Sequence, residues 1–133
     1  MRASFTRHPE RISDGVVASD GADWNSRLSS EILNGGSLEW DLGAPREIDR
    51  AYLQADHDDT YALLVSSDGN AWSTLWEAPP VSGSGLCARA TDRLQARARF
   101  VRLEPRGGDG RASASELVLA SSTAPWPPVL KAC

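Results

Sequence analysis

Apolar and polar residues alternate along much of this chain with a period of two. In Leu38-Glu39-Trp40-Asp41-Leu42 the apolar residues take one face and the acids the other, the mark of a half-buried strand. Gly43-Ala44-Pro45 is expected to stop it. Val101 and Leu103, set between Arg102 and Glu104, repeat the pattern, as do Leu117 and Leu119 near the end. The stretch Thr60 to Ser66 is apolar on both faces and reads as a central strand. Ser67-Asp68-Gly69-Asn70 then predicts a tight turn, and residues 71–76 a returning strand. Residues 47–56 break period two near Asp49-Arg50, which predicts a bulge.

The rest is punctuation and short strands. Residues 77–85 form a loop around Pro79-Pro80, and residues 86–90 a short strand. Residues 12–32 predict a long loop with one helical turn. Residues 91–99 have the best helical propensity, but their place between two strands predicts loop and strand start. Many short strands at this spacing predict an all-β fold, an antiparallel sandwich or jelly roll. The expected division is an N-terminal extension over 1–10, a sandwich over 11–120 and a Pro-rich tail or linker over 121–133.

Composition adds limits. The length of 133 residues suits one domain. No apolar run spans a membrane, and no signal peptide is visible, so the chain reads as cytosolic or as a domain cut from a longer one. The net charge of −4 gives no reason to expect nucleic acid. The charge is uneven: residues 1–80 carry 6 basic and 14 acidic side chains, residues 81–133 carry 8 and 4. Seven arginines fall between Arg89 and Arg111. They read either as an anion-binding face or as solvated strand faces paired with the acidic half. Cys87 reads as a small buried hydrophobe, or as one half of a disulfide with Cys133.

In order, the chain presents Ile12-Ser13-Asp14-Gly15, Trp24-Asn25-Ser26, Leu38 to Gly43, Tyr61 to Trp72, Arg99 to Pro105 and Ser113 to Leu119. That succession resembles the discoidin, or coagulation factor 5/8 type C, family of galactose-binding-like modules, to which bacterial carbohydrate-binding modules are related. It covers residues 10–120. The resemblance implies a jelly-roll β-sandwich of about eight strands, extracellular or on a cell surface. Its loops at one end would bind carbohydrate or another surface ligand. A structural or adhesive role toward a protein partner is the alternative. The resemblance also implies a structural calcium held by Asp14 and Glu116. The segment after Asp14-Gly15 departs from the family pattern, so Asp20 or Asp23 would have to complete the ligand set.

The acidic run Asp56-His57-Asp58-Asp59 raises the question of a metal or catalytic centre. If extended, it points Asp56 and Asp58 one way and His57 and Asp59 the other, so it does not converge on an ion. No nucleophile elbow, phosphate loop or nominated carboxylate pair accompanies it, and the chain reads as no enzyme. Trp40, Trp72 and Trp24 read as core, and Trp76 as the exposed stacking platform. The expected ligand site lies among the loops at 56–59, 76–85 and 106–110. Its residues would be Asp56, Asp58, Asp59 and Trp76, with Arg89 and Asp109 beside them.

Overall fold

The computed structural model describes residues 1–107 and 110–123. It is all-β, with strands β1 (Arg2–Arg7), β2 (Ser30–Ile48), β3 (Arg50–Asp56), β4 (Thr60–Ser66), β5 (Ser73–Ala78), β6 (Leu86–Thr91), β7 (Ala96–Arg106) and β8 (Ala112–Ala120). One 3₁₀ turn covers Pro9–Ser13. The eight strands pair antiparallel in the order β5-β4-β7-β2-β8-β3-β6, with β1 on β2. β1 therefore draws residues 2–7, within the stretch read as an extension, onto the sandwich.

The long strand β2 joins the two halves. Its first residues, Ser30 to Ile32, pair with β8, and Leu38 to Ile48 pair with β7. Gly43-Ala44-Pro45 does not end β2. It falls where the β2–β7 register shifts, between Asp41 and Arg46, and a bulge tolerates a proline that donates no ladder bond. The expected bulge at Asp49-Arg50 is instead a change of partners. β2 ends at Ile48 beside Ala96, and β3 starts at Arg50 beside Ala120. Period two breaks there because the neighbours on each face change.

The core lies between the halves. Leu38, Leu53, Tyr61 and Leu103 share one cluster with Ile12 and Ile32, while Ile48, Leu63 and Val101 form a second. Trp40, Trp76 and Leu117 pack against both. β4 is buried on both faces, as its continuous apolar run requires. β8 departs from expectation: Ala112 to Glu116 are buried, while Leu117 and Leu119 are only half-buried. That half of β8 lies between β2 and β3 and under the 3₁₀ turn, so small residues fill it. Residues 91–99 are loop and strand start, as expected.

The β4–β5 turn is built by its own sequence. The Asp68 carboxylate accepts N–H bonds from Asn70 (2.8 Å) and Ala71 (2.9 Å), and Gly69 takes φ +81°. Those bonds hold the Asp68 carboxyl below its ordinary value.

Leu103 lies on a central strand, opposite both Leu38 and Leu63. Leu103→Ala should therefore cost about 2–5 kcal/mol, read as a lower urea midpoint at unchanged slope.

Candidate functional site

The register sets which loops share an end of the sandwich. Thr60 pairs with Arg106 and Ile32 with Ala112, so the β3–β4 turn, the β7–β8 loop and the bend at 33–36 sit together. The β5–β6 loop joins them: the His57 N–H donates to Gly85 O (2.8 Å) and the Val81 N–H to His57 O (2.9 Å). Gly85 is also where the early loop closes down. The Leu86 N–H donates to Ala22 O (2.8 Å), and a Cβ on Gly85 would sit 2.0 Å from that oxygen.

Arg89 organises this end. It is buried, and its guanidinium donates to the carbonyls of Ala55 (2.7 Å), Cys87 (3.1 Å), Asp56 (2.7 Å), His57 (3.1 Å), Asp59 (3.0 Å) and Pro79 (3.1 Å). Its plane also lies over Tyr61, 5.4 Å from the ring centre. Arg89 was expected to face a ligand; it faces inward, because backbone carbonyls replace the water that burial removes.

The acidic run departs from the extended reading. His57 and Asp58 form a turn, and the side chains of Asp56, His57 and Asp58 bring one ligand atom each within 4.8 Å of one another. An extended strand would splay them; the reversal gathers them. Burial first, then the Asp58 charge, raises the Asp56 carboxyl. His57 Nδ1 lies 3.3 Å from Asp56 Oδ1. The set has the donor types that hold a divalent cation. Asp56 and Asp59 are buried rather than at a rim. The Tyr61 hydroxyl has Asp59 Oδ2 (3.3 Å) and Ser113 O (3.0 Å) as acceptors within reach of its one proton, and it accepts from the Ser113 N–H (3.1 Å). Only His57 and Asp58 of the run keep partial exposure.

The remaining expected residues are scattered. Trp76 is half-buried and packs on both core clusters, because β5 turns its ring inward beside Leu63, its partner on β4. It is not the open platform expected. Asp109 and Cys133 lie outside the described residues. Cys87 is disulfide-bonded, not a free thiol. Three arginines of the run pair with acids: Arg99 with Asp41, Arg102 with Glu39, and Arg106 with Glu77 and Glu104.

The calcium question centres on Glu116. It is buried, and its Oε2 has no hydrogen-bond partner. Burial, then the charge of Asp14, pushes its carboxyl up to about 7. Tyr52 Oη, another buried oxygen without a partner, feels the charges of Asp20 and Glu116, and Asp20 accepts from Gln54 Nε2 (3.3 Å). An orphaned carboxylate oxygen among like charges fits a hard cation with oxygen ligands. Asp23 is exposed and has no part in this group.

Sequence reasoning missed one recess of the loop end. A cavity of about 400 Å³ is lined by Ile32, Leu33, Asn34, Gly35, Pro105 and Gly107, among others. Asn34-Gly35 is a turn signal, but nothing in one sequence says that it faces the loop after β7.

No family model and no curated protein matches the chain in sequence. Solved structures do match its fold. CpGH89CBM32-5 from Clostridium perfringens, in complex with GalNAc-β-1,3-galactose, is 22% identical with TM-score 0.61, covering 90% of this chain and 94% of that one. The CBM32 of AlyQ, in complex with 4,5-unsaturated mannuronic acid, is 16% identical with TM-score 0.65, covering 91% and 93%. CBM32-1 from a Clostridium perfringens family 31 glycoside hydrolase is 12% identical with TM-score 0.62, covering 85% and 84%. The chain thus shares the antiparallel β-sandwich fold of these structures, as the motif order implied. No helix among the described residues is long and apolar enough to cross a membrane.

Arg89→Met should cost about 3 kcal/mol, since it leaves buried carbonyls without a donor. Chemical denaturation reads the loss, and hydrogen exchange at residues 56–59 should rise.

Proposed function

We propose that this chain is a non-catalytic carbohydrate-binding module whose sugar site lies among the loops around the β3–β4 turn. The observation that carries this reading is the open recess of about 400 Å³ at the loop end of a sugar-module fold. It lies within the range of ligand pockets. Leu33 and Pro105 offer an apolar wall, and the Asn34 amide offers donors and an acceptor for hydroxyls. Asp58, partly exposed at the same end, adds a carboxylate acceptor. Arg89 holds the backbone of the turn rigid, which reduces the ordering cost of binding. A surface or extracellular setting agrees with the disulfide at Cys87, since such bonds persist in oxidising compartments. Glu116 and Asp14 hold a calcium ion that steadies the early loop against β8. The ion supplies charge neutralisation there and no chemistry.

Isothermal titration with galactose, N-acetylgalactosamine and alginate oligosaccharides tests the sugar reading. At least one should bind, and Asn34→Ala should weaken it about tenfold, the loss of roughly one good hydrogen-bonding group, at unchanged melting temperature. Absence of binding across the set would reject the reading. For the ion, millimolar calcium should raise the melting temperature and chelator should lower it. Glu116→Gln should abolish both effects.

A further inference from the structure

Strand alternation builds a second recess, on the outer sheet face, well away from the loop end in register. Glu39 pairs with Arg102 and Asp41 with Phe100 across β2 and β7, and directly paired residues share a face. Trp40 and Val101, the pair between them, belong to the opposite alternation. Trp72 reaches the same face from the β4–β5 turn. Glu39, Asp41, Trp72 and Phe100, with Met1, Arg2, Trp40 and Gly69, line a cleft of about 320 Å³. Trp72, expected in the core, is only partly buried here, whereas Trp40, also partly buried, packs on both core clusters as expected.

Its chemistry is specific. The Arg102 guanidinium lies 4.3 Å from the Trp72 ring centre, and Arg99 lies 5.1 Å from that of Phe100. Each arginine grips a carboxylate through two nitrogens: Arg99 holds Asp41 at 2.8 and 2.9 Å, and Arg102 holds one oxygen of Glu39. Hydrogen bonds from Arg99, and then from the Gly43 N–H, keep the Asp41 carboxyl down at about 2, so it stays an acceptor at any physiological pH. Gly69 carries no side chain to fill the space over Phe100. Arg99 and Arg102 offset the two carboxylates, and Arg2 and the Met1 amino group add positive charge at one edge of the lining. What the cleft offers is aromatic surface rimmed by oriented acceptors and donors. A neutral pyranose has the matching shape, with an apolar C–H face and a girdle of hydroxyls.

We infer that this cleft is a second, separate binding site for a neutral pyranose unit, stacked on Trp72 and hydrogen-bonded to Asp41 and Glu39. The inference rests on the carbohydrate-binding reading and would make the module bivalent toward a polymeric glycan, whose avidity would then exceed either site alone.

The test is ¹⁵N NMR titration with galactose, N-acetylgalactosamine and GalNAc-β-1,3-galactose. The expected result is a saturable shift of the Trp72 indole and of the Gly69 and Phe100 amides. Trp72→Ala should remove that response while leaving shifts at residues 33–35 intact. Asp41→Asn, a change at an exposed side chain, should weaken it at least fivefold in a protein with an unchanged amide spectrum elsewhere. Shifts confined to residues 33–35 and 57–58 would overturn the second site and leave the module reading standing. Silence at both places would overturn both.

Discussion

The loop end of this sandwich depends on one buried cation. Arg89 sits inside the fold with its guanidinium wrapped by carbonyls from the end of β3, the turn after it, the start of β6 and the loop after β5. A charge taken from water needs compensation, and here the backbone supplies it. In return, loops without regular pairing partners of their own are fixed relative to one another. Burial lowers the tendency of Arg89 to stay protonated, and the nearby Asp56, Asp58 and Asp59 raise it again.

That constraint explains the acidic turn. Asp56, Asp58 and Asp59 crowd negative charge in four residues, and an inward-facing arginine beneath them offsets part of the repulsion. Asp59 is spent on Tyr61, whose hydroxyl also ties the turn to β8 through Ser113. Asp56 and Asp59 are buried in the scaffold, and Asp58 keeps partial exposure. From sequence, Arg99 and Arg102 read either as an anion-binding face or as solvated strand faces paired with acids, and on the outer face each meets a carboxylate across β2 and β7. Such pairs add little stability when exposed, but they orient polar groups beside aromatic rings.

The likeness to sugar-binding modules bears on architecture, and the two recesses bear on chemistry. The loop-end cavity combines a short apolar wall with one amide. The face cleft combines rings with matched charge pairs. Among the described residues, the convergent Asp56-His57-Asp58 group brings together side chains of metal-ligating type. The backbone carbonyls of Asp56 and His57 are already committed to Arg89, which gives the group a structural role.

Local pattern was enough for the strands. Alternation marked Leu38 to Leu42 and Val101 to Leu103, a two-faced apolar run marked β4, and Asp68-Gly69 marked its turn, because these rest on side-chain period and turn chemistry within a few residues. The order of motifs pointed to the β-sandwich fold. What the sequence alone could not decide was which way long-range partners turn. Arg89 reads as a surface charge until Ala55, Asp59 and Pro79 are brought around it. Trp76 reads as exposed until Leu63 faces it, and Trp72 reads as core until Arg102 and Phe100 leave it at the edge of a cleft. Three acids and a histidine in four residues look splayed until a turn, held from below, gathers Asp56, His57 and Asp58. Period and propensity are local, whereas burial and charge pairing depend on residues from 10 to 63 positions away, so only the tertiary structure sets them.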